Sequence, residues 1–495
     1  MRWGNTGALG AQLFLVPIFA FVLLIQGAAV AQTAPRSERG MLDWAHEDMV
    51  GALNILIPER MAELDVPGLS LAIVKEGEIV WSSGFGTAAR DGSPVSADTI
   101  FEAASLGKPV TAYGVMMMVN DKKLFLDGPL SQNLEAPWVS DRLGHEVITL
   151  RHVLTHSSGL SNFIRCCSRG IWSDPGAEFS YSGVGYMYAQ HVMEEMAAKP
   201  FDLLMRERVL MPLGMSSTGF GLSPALADKV AVGHVPAYYL LLVFFLPFLL
   251  VFGVLSIVTA LVVWLVLERV FLRRTDFILP AIGAVALAPA AIYMVAGGAA
   301  LALVLMAVVV YLVLVGLAAG LLVALFGVLG LLGPGDGELA RGPGSQRWMA
   351  IVLAAVLAVG ASVPLVTRNI AAPASAPDYV NAASSLRSTA NDLARFMIGF
   401  MDAKGLGKAA RDRMVAEAVP VGEGISWGLG IAKRVTPQGE TLWQWGSNPG
   451  YESLMVMDME RRAGVVILTN SYYGAPLVQE IAGHVLGEAP GWSLY

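Results

Sequence analysis

The sequence predicts an α+β fold: a sheet closed by strands from both ends of the soluble chain, helices between them, and a four-helix transmembrane bundle interrupting the domain. Three observations carry this. Gly68 to Val74 and Glu78 to Ser82 are β-rich runs flanking Lys75-Glu76-Gly77, a glycine-containing turn, and so read as a hairpin. Ser453 to Asp458 and Gly464 to Thr469 are two further β-rich runs near the other end, joined through Glu460-Arg461-Arg462. Between these ends lie long uncharged stretches, and 55% hydrophobic residues, 15% charged residues and a mean hydropathy of +0.57 are wrong for a purely soluble protein.

The elements follow in order. Residues 1–31 carry Arg2, an apolar run from Leu13 to Ile25 and the small-residue pattern Ala29-Val30-Ala31, which is a secretory signal or, uncleaved, an N-terminal anchor. Residues 32–237 open with a polar leader and a helical spacing from Met41 to Leu64. After the hairpin, Phe101 to Val110 (FEAASLGKPV) leads into a helix continuing through Tyr113 to Val119. Thr149 caps a helix running to Leu160, Pro175 to Gly185 precedes one from Tyr186 to Ala198, and Phe201 to Val209 forms another. Residues 368–495 add a helix from Ala390 to Phe400 capped by Ser388-Thr389, the two late strands, and a closing helix from Leu477 to Leu486.

The insert, 238–367, divides into spans at about 238–267, 277–297, 299–332 and 348–367. Each uncharged run is set against the roughly 30 Å hydrocarbon core and the helical rise of about 1.5 Å per residue. Arg269, Arg273 and Arg274 lie in one connecting loop and Arg341 and Arg347 in another, whereas the turn near Gly297 has no basic residue. Four spans place both basic loops inside and return the chain to the side it left. The expected location is therefore the cytoplasmic membrane, multi-pass, with the soluble domain on its periplasmic or extracellular side. No ionisable residue lies within a span, so the bundle reads as an anchor in lipid or a contact for another membrane protein.

A net charge of −7 and the absence of a basic stripe interleaved with aromatics exclude a nucleic-acid partner. Cys166 and Cys167 are adjacent and close no ordinary loop. His152 and His156 have zinc-like spacing but no H-E-x-x-H and no third ligand nearby, so no metal and no cofactor are expected.

The chemistry centres on Ser105 and Lys108. With Pro109 in the first helical turn, where a missing N–H costs nothing, Ser105 falls at the helix N-terminus. Residues three apart share a helix face, so the Lys108 amine reaches the Ser105 hydroxyl. A serine hydroxyl becomes a nucleophile when a neighbouring base takes its proton, and lysine is a base when burial and the helix dipole lower its pKa. From this stretch alone, a helix cap followed by a surface lysine is equally good.

The wider pattern resembles the serine β-lactamase and penicillin-binding-protein superfamily, in its class C β-lactamase, D-alanyl-D-alanine carboxypeptidase and esterase branch. The resemblance rests on VPGLSLAIV at Val66, SLGK at Ser105, ITLRHVLTHSSGL at Ile148, PGAEFSYSG at Pro175, PLGM at Pro212, SLRSTANDLARF at Ser385 and SNPGY at Ser447, in that order. It implies an antiparallel sheet flanked by helices, Ser105 as the acylated nucleophile, and Tyr181 joining Lys108 in proton transfer. Gly183 stands where the family has an asparagine that holds substrate. Gln444-Trp445-Gly446 stands where a strand carries Lys-Thr-Gly or His-x-Gly, so Gly446 is retained and the cation is lost. The Ser447 N–H becomes the second oxyanion donor beside that of Ser105. The function implied is a membrane-bound exported serine hydrolase acting on a small-molecule or peptide ester or amide through an acyl-serine. The alternative is a non-catalytic or weakly active sensor that keeps the fold.

Overall fold

The computed structural model describes residues 40–89, 91–139, 146–162, 170–221, 226, 229–240, 369–371 and 380–493. The leader 1–31, the adjacent cysteines and essentially all of the four spans lie outside the described residues. Among those described, no helix is long and apolar enough to cross a membrane.

A short 3₁₀ turn, Met41–Asp43, precedes helix α1 (His46–Glu63). Strands β1 (Gly68–Lys75) and β2 (Glu78–Gly86) form the expected hairpin. Its turn is Glu76-Gly77 with φ of 55° and 81°, the positive-φ geometry that matches strand twist. Strand β3 (Phe101–Ala104) feeds helix α2 (Gly107–Asn120), and α3 (Leu150–Leu154), α4 (Gly183–Ala197) and α5 (Phe201–Met205) follow. Then come β4 (His234–Pro236), the short α6 (Ala237–Leu240), β5 (Asn369–Ala371), β6 (Leu386–Ser388), α7 (Ala390–Met401) and α8 (Lys408–Ala416). The chain ends with β7 (Val419–Gly422), β8 (Ile425–Trp427), β9 (Ala432–Thr436), β10 (Gly439–Asn448), β11 (Tyr451–Asp458), β12 (Ala463–Thr469) and α9 (Gly474–Leu486).

The main sheet has eight strands in the order β2-β1-β12-β11-β10-β9-β8-β7, and every neighbouring pair is antiparallel. The N-terminal hairpin is zipped onto the C-terminal strand, with Leu69 opposite Thr469 and Val74 opposite Gly464. Both ends of the soluble chain therefore close one sheet, as expected. All seven residues of β12 are buried, which explains why GVVILT is apolar without alternation: both faces are covered.

Side-chain alternation along β1 separates two cores. Leu69, Leu71 and Ile73 pack with α1 and α9 on one face, while Ala72 and Val74 pack with α2, α4 and α7 on the other. Thr389 caps α7 by accepting the Asp392 N–H at 3.0 Å.

Three boundaries differ from the sequence expectation. The Thr149 helix stops at Leu154 rather than Leu160, because His156 takes φ of 55° and turns the chain out of the helix. The helix expected from Tyr186 begins at Gly183, where the Ser182 side chain accepts the Gly185 N–H at 2.9 Å. The helix expected to reach Val209 widens into a π turn at Arg206–Leu210.

The flanks of the predicted insert meet. Strand β4 pairs with β5 antiparallel, His234 opposite Ala371 and Pro236 opposite Asn369, so the described residues on either side of 241–368 meet in one two-stranded ladder.

Candidate active site

Ser105 sits on a strained corner. Ala104, the last residue of β3, has φ of 50°, a left-handed conformation that costs a non-glycine residue on the order of 1 kcal/mol or more. The Leu106 N–H then bonds Ala103 O at 3.1 Å, and Leu106 caps α2. Ser105 thus precedes the first helical turn, and Pro109 occupies that turn.

Lys108 is fully buried, and its Nζ lies 2.9 Å from Ser105 Oγ and 2.8 Å from Ala383 O. Burial pushes its pKa down from 10.5 to about 7, with no acid acting against that shift. The amine is therefore half neutral near pH 7 and can accept the Ser105 proton, which the surface-lysine alternative cannot explain.

Strand β10 passes directly over this corner. A Cβ on Gly446 would overlap Ala103 O and Ser453 Oγ and would stand 3.1 Å from Ser105 N. Only glycine permits this approach. Beyond it, Asn448 lies opposite Tyr451 across the two-residue turn Pro449-Gly450, and Ser447 lies opposite Glu452. Antiparallel pairs alternate between exchanging and not exchanging backbone bonds, so the residue next to the turn-closing pair directs its N–H out of the hairpin. Ser447 is that residue.

Tyr181 meets the same corner from the loop before α4. Lys108 Nζ stands 4.7 Å from its ring centroid, and its hydroxyl oxygen accepts a hydrogen bond from Gln444 Nε2 at 3.2 Å. Gln444 is fully buried and also donates to Trp445 O at 2.7 Å. The structure therefore brings Ser105, Lys108, Tyr181, Gln444 and Gly446 together with Ser447 alongside.

His156 performs a task that zinc spacing disguised. Its carbonyl accepts the Ser180 N–H at 2.6 Å and its Nδ1 accepts the Ser182 N–H at 3.0 Å, so one residue grips both neighbours of Tyr181. Burial, with Lys108 nearby, holds its pKa well below the usual 6.5, so the imidazole is neutral. Its ring lies 4.2 Å from that of Tyr181. Among the described residues, no group of three His, Cys, Asp or Glu side chains is placed to hold a metal.

Asn162 is a residue the sequence reading passed over. Its Oδ1 accepts the Gly183 N–H at 3.0 Å, and a Cβ on Gly183 would overlap the Asn162 carbonyl oxygen. Gly183 is small because Asn162 occupies the space beside it, and a side-chain amide stands there after all. The two residues are 21 apart, which no short motif could reveal.

The model of the Beta-lactamase family matches residues 53–281 and 329–488, more than half of the chain. The chain belongs to the beta-lactamase family. The unmatched interval lies within the uncharged stretch expected to span lipid. This beta-lactamase-family chain is 27% identical over 205 residues to Esterase EstB of Burkholderia gladioli, covering 35% of this chain and 52% of EstB. It is 27% identical over 188 residues to Penicillin-binding protein 4 of Amycolatopsis lactamdurans, covering 35% of this chain and 49% of that protein. The chain spans about half the length of these curated relatives. In fold it is similar to the octameric penicillin-binding protein homologue from Pyrococcus abyssi, with a TM-score of 0.56 at 19% identity, covering 89% of this chain and 78% of that one.

Proposed function

We propose that the chain is an exported, membrane-bound serine hydrolase that cleaves an ester or amide through an acyl-serine intermediate. The single observation that carries this is the buried Lys108 amine, 2.9 Å from the Ser105 hydroxyl, with its pKa lowered to about 7. Neutral Lys108 takes the Ser105 proton as Oγ attacks the carbonyl carbon. The resulting oxyanion is held by the Ser105 and Ser447 N–H groups, which β10 brings close through Gly446. Collapse expels the alcohol or amine as Lys108 returns the proton, and Tyr181 assists the transfer. The Gln444 hydrogen bond to the Tyr181 oxygen holds that hydroxyl in place beside Lys108. Water, activated by the same base, then attacks the acyl-serine carbonyl and releases the acid. Asn162 offers its amide to a substrate carbonyl.

The esterase and penicillin-binding relatives support the ester and amide class. The membrane location is supported by the leader, the uncharged stretches with their two basic loops, and the β4–β5 ladder where the insert begins and ends.

A fluorophosphonate probe tests the catalytic reading. The wild-type chain is expected to be labelled and Ser105→Ala is not. Equal labelling of both, or no labelling and no ester hydrolysis by the wild type, would favour the non-catalytic sensor.

A further inference from the structure

Asn448 lies two residues beyond Gly446 on β10, so its side chain shares the strand face that meets the Ser105 corner, while Ser447 between them points to the other face. Its Nδ2 donates to Glu102 Oε2 at 2.9 Å and to Ser384 O at 3.1 Å. Both partners are acceptors, which fixes the orientation of the amide and uses both hydrogens of its NH₂ group. The two contacts lead to different parts of the site. Glu102 is buried on β3, three residues before Ser105, and lies opposite Arg387 of β6, with their charged groups 3.7 Å apart. Ser384 follows Ala383, whose carbonyl accepts a hydrogen bond from the Lys108 amine at 2.8 Å. One amide therefore joins the strand that carries the Ser447 N–H, the strand that feeds the nucleophile and the segment that holds the base.

From this junction we infer that Asn448 is a positioning residue: its amide ties β10 to Glu102 and to Ser384, and so sets the Ser447 N–H against the oxyanion and Ala383 O against Lys108 together. This rests on the hydrolase reading above and adds a residue to that machinery. The hydrogen bond to the buried Glu102 carboxylate is charge-assisted, about twice as strong as a neutral one. Ser447 and Asn448 share a peptide link, so slack in the Asn448 side chain passes directly to the oxyanion donor. A displacement of about 1 Å at a reacting centre costs about 10²-fold in rate. Because the Asn448 amide is spent on protein groups rather than on substrate, its loss falls on kcat and leaves KM nearly unmoved.

The test uses the full-length protein and nitrophenyl acetate. Asn448→Ala is expected to lower kcat by about tenfold to hundredfold and to keep KM within about threefold of the wild type. Asn448→Asp keeps the shape but sets an acceptor against Glu102, and is expected to lose at least as much. Adding Glu102→Gln to Asn448→Asp restores a donor and acceptor pair in the reverse direction and is expected to regain about tenfold in kcat. Tyr113→Phe is the comparison for destabilisation alone. The Tyr113 hydroxyl donates to Gly399 O at 3.3 Å and Lys404 O at 2.8 Å, another buried tie between the chain before 241–368 and the chain after it. That variant should melt at a lower temperature with kcat near the wild-type value. An unchanged kcat in Asn448→Ala, an equal loss of kcat in Tyr113→Phe, or a folded double variant no better than Asn448→Asp overturns this inference alone. Hydrolysis that persists in Ser105→Ala overturns the catalytic reading beneath it.

Discussion

The Lys108 amine stands 2.9 Å from the Ser105 hydroxyl, and what lowers its pKa is burial rather than a neighbouring cation. This sets the pH behaviour. The folded pKa, about 7, lies below the ordinary 10.5, so the unfolded chain binds the additional proton between those values. Stability from this group therefore rises as pH goes from about 7 to 10.5, and burying the charge costs most below 7. Activity has the same sign: kcat/KM is expected to fall about tenfold per pH unit below an apparent pKa near 7. Lys108→Ala should reduce acylation by about 10²- to 10⁴-fold. A flat profile from pH 5.5 to 8, or near-normal acylation in Lys108→Ala, would assign the base elsewhere.

Gly446 gives a sharper test of the oxyanion geometry. Alanine there places its Cβ against Ala103 O and Ser453 Oγ and must push β10 away from Ser105. Loss of one oxyanion donor costs about 10²- to 10³-fold in kcat. Gly446→Ala is expected to lose at least that much, and a thermal melt should record destabilisation of about 1–3 kcal/mol. A variant with unchanged kcat would show that Ser447 N–H is not a donor.

Gln444 predicts a substrate preference. It is uncharged, buried and engaged with Tyr181, so a penicillin or cephalosporin carboxylate finds no cation there. Short esters are expected to exceed cephalosporins in kcat/KM by at least about tenfold, the value of one modest charged contact. A higher kcat/KM for a cephalosporin would place a compensating cation, such as Arg165 or Arg169, at the mouth.

How much of this was legible beforehand depended on the range of each signal. The β1–β2 hairpin, the β11 and β12 runs and the Ser105–Lys108 pair are local patterns, and local patterns survived. Strands β7, β8 and β9 are short, of four, three and five residues, and the edge strand β7 (Val419–Gly422) has no buried residue and includes a proline and a glycine, so they give no β-rich run in the sequence. The grip of His156 on Tyr181 and the insertion of Asn162 beside Gly183 depend on contacts 26 and 21 residues apart. The i, i+4 histidine pair, set aside as a metal site in favour of helix packing and capping, splits in the structure: His152 completes the Thr149 capping box, whereas His156 lies beyond the helix end, at positive φ.

The β4–β5 ladder frames the last prediction. Ser105, Lys108 and Tyr181 precede residues 241–368, whereas Gly446 and Ser447 follow them, yet β10 lies against the Ser105 corner. If the intervening stretch crosses a bilayer, it crosses an even number of times, because both flanks pair within one domain. Four crossings satisfy this and put both arginine-bearing loops inside. Adding a third span between Phe277 and Leu332 would give an odd total and leave about 19 residues per span with no turns, near the lower limit. In a chain whose Cys166 and Cys167 are replaced by serine, single cysteines at the exposed positions Gly92 and Pro437 should both react with an impermeant reagent from outside the cell. A cysteine at Gly344, in the second basic loop, should react only after permeabilisation. Protection at Pro437 with labelling at Gly92 would separate the two halves of the domain across the membrane, and the site built from both could not exist.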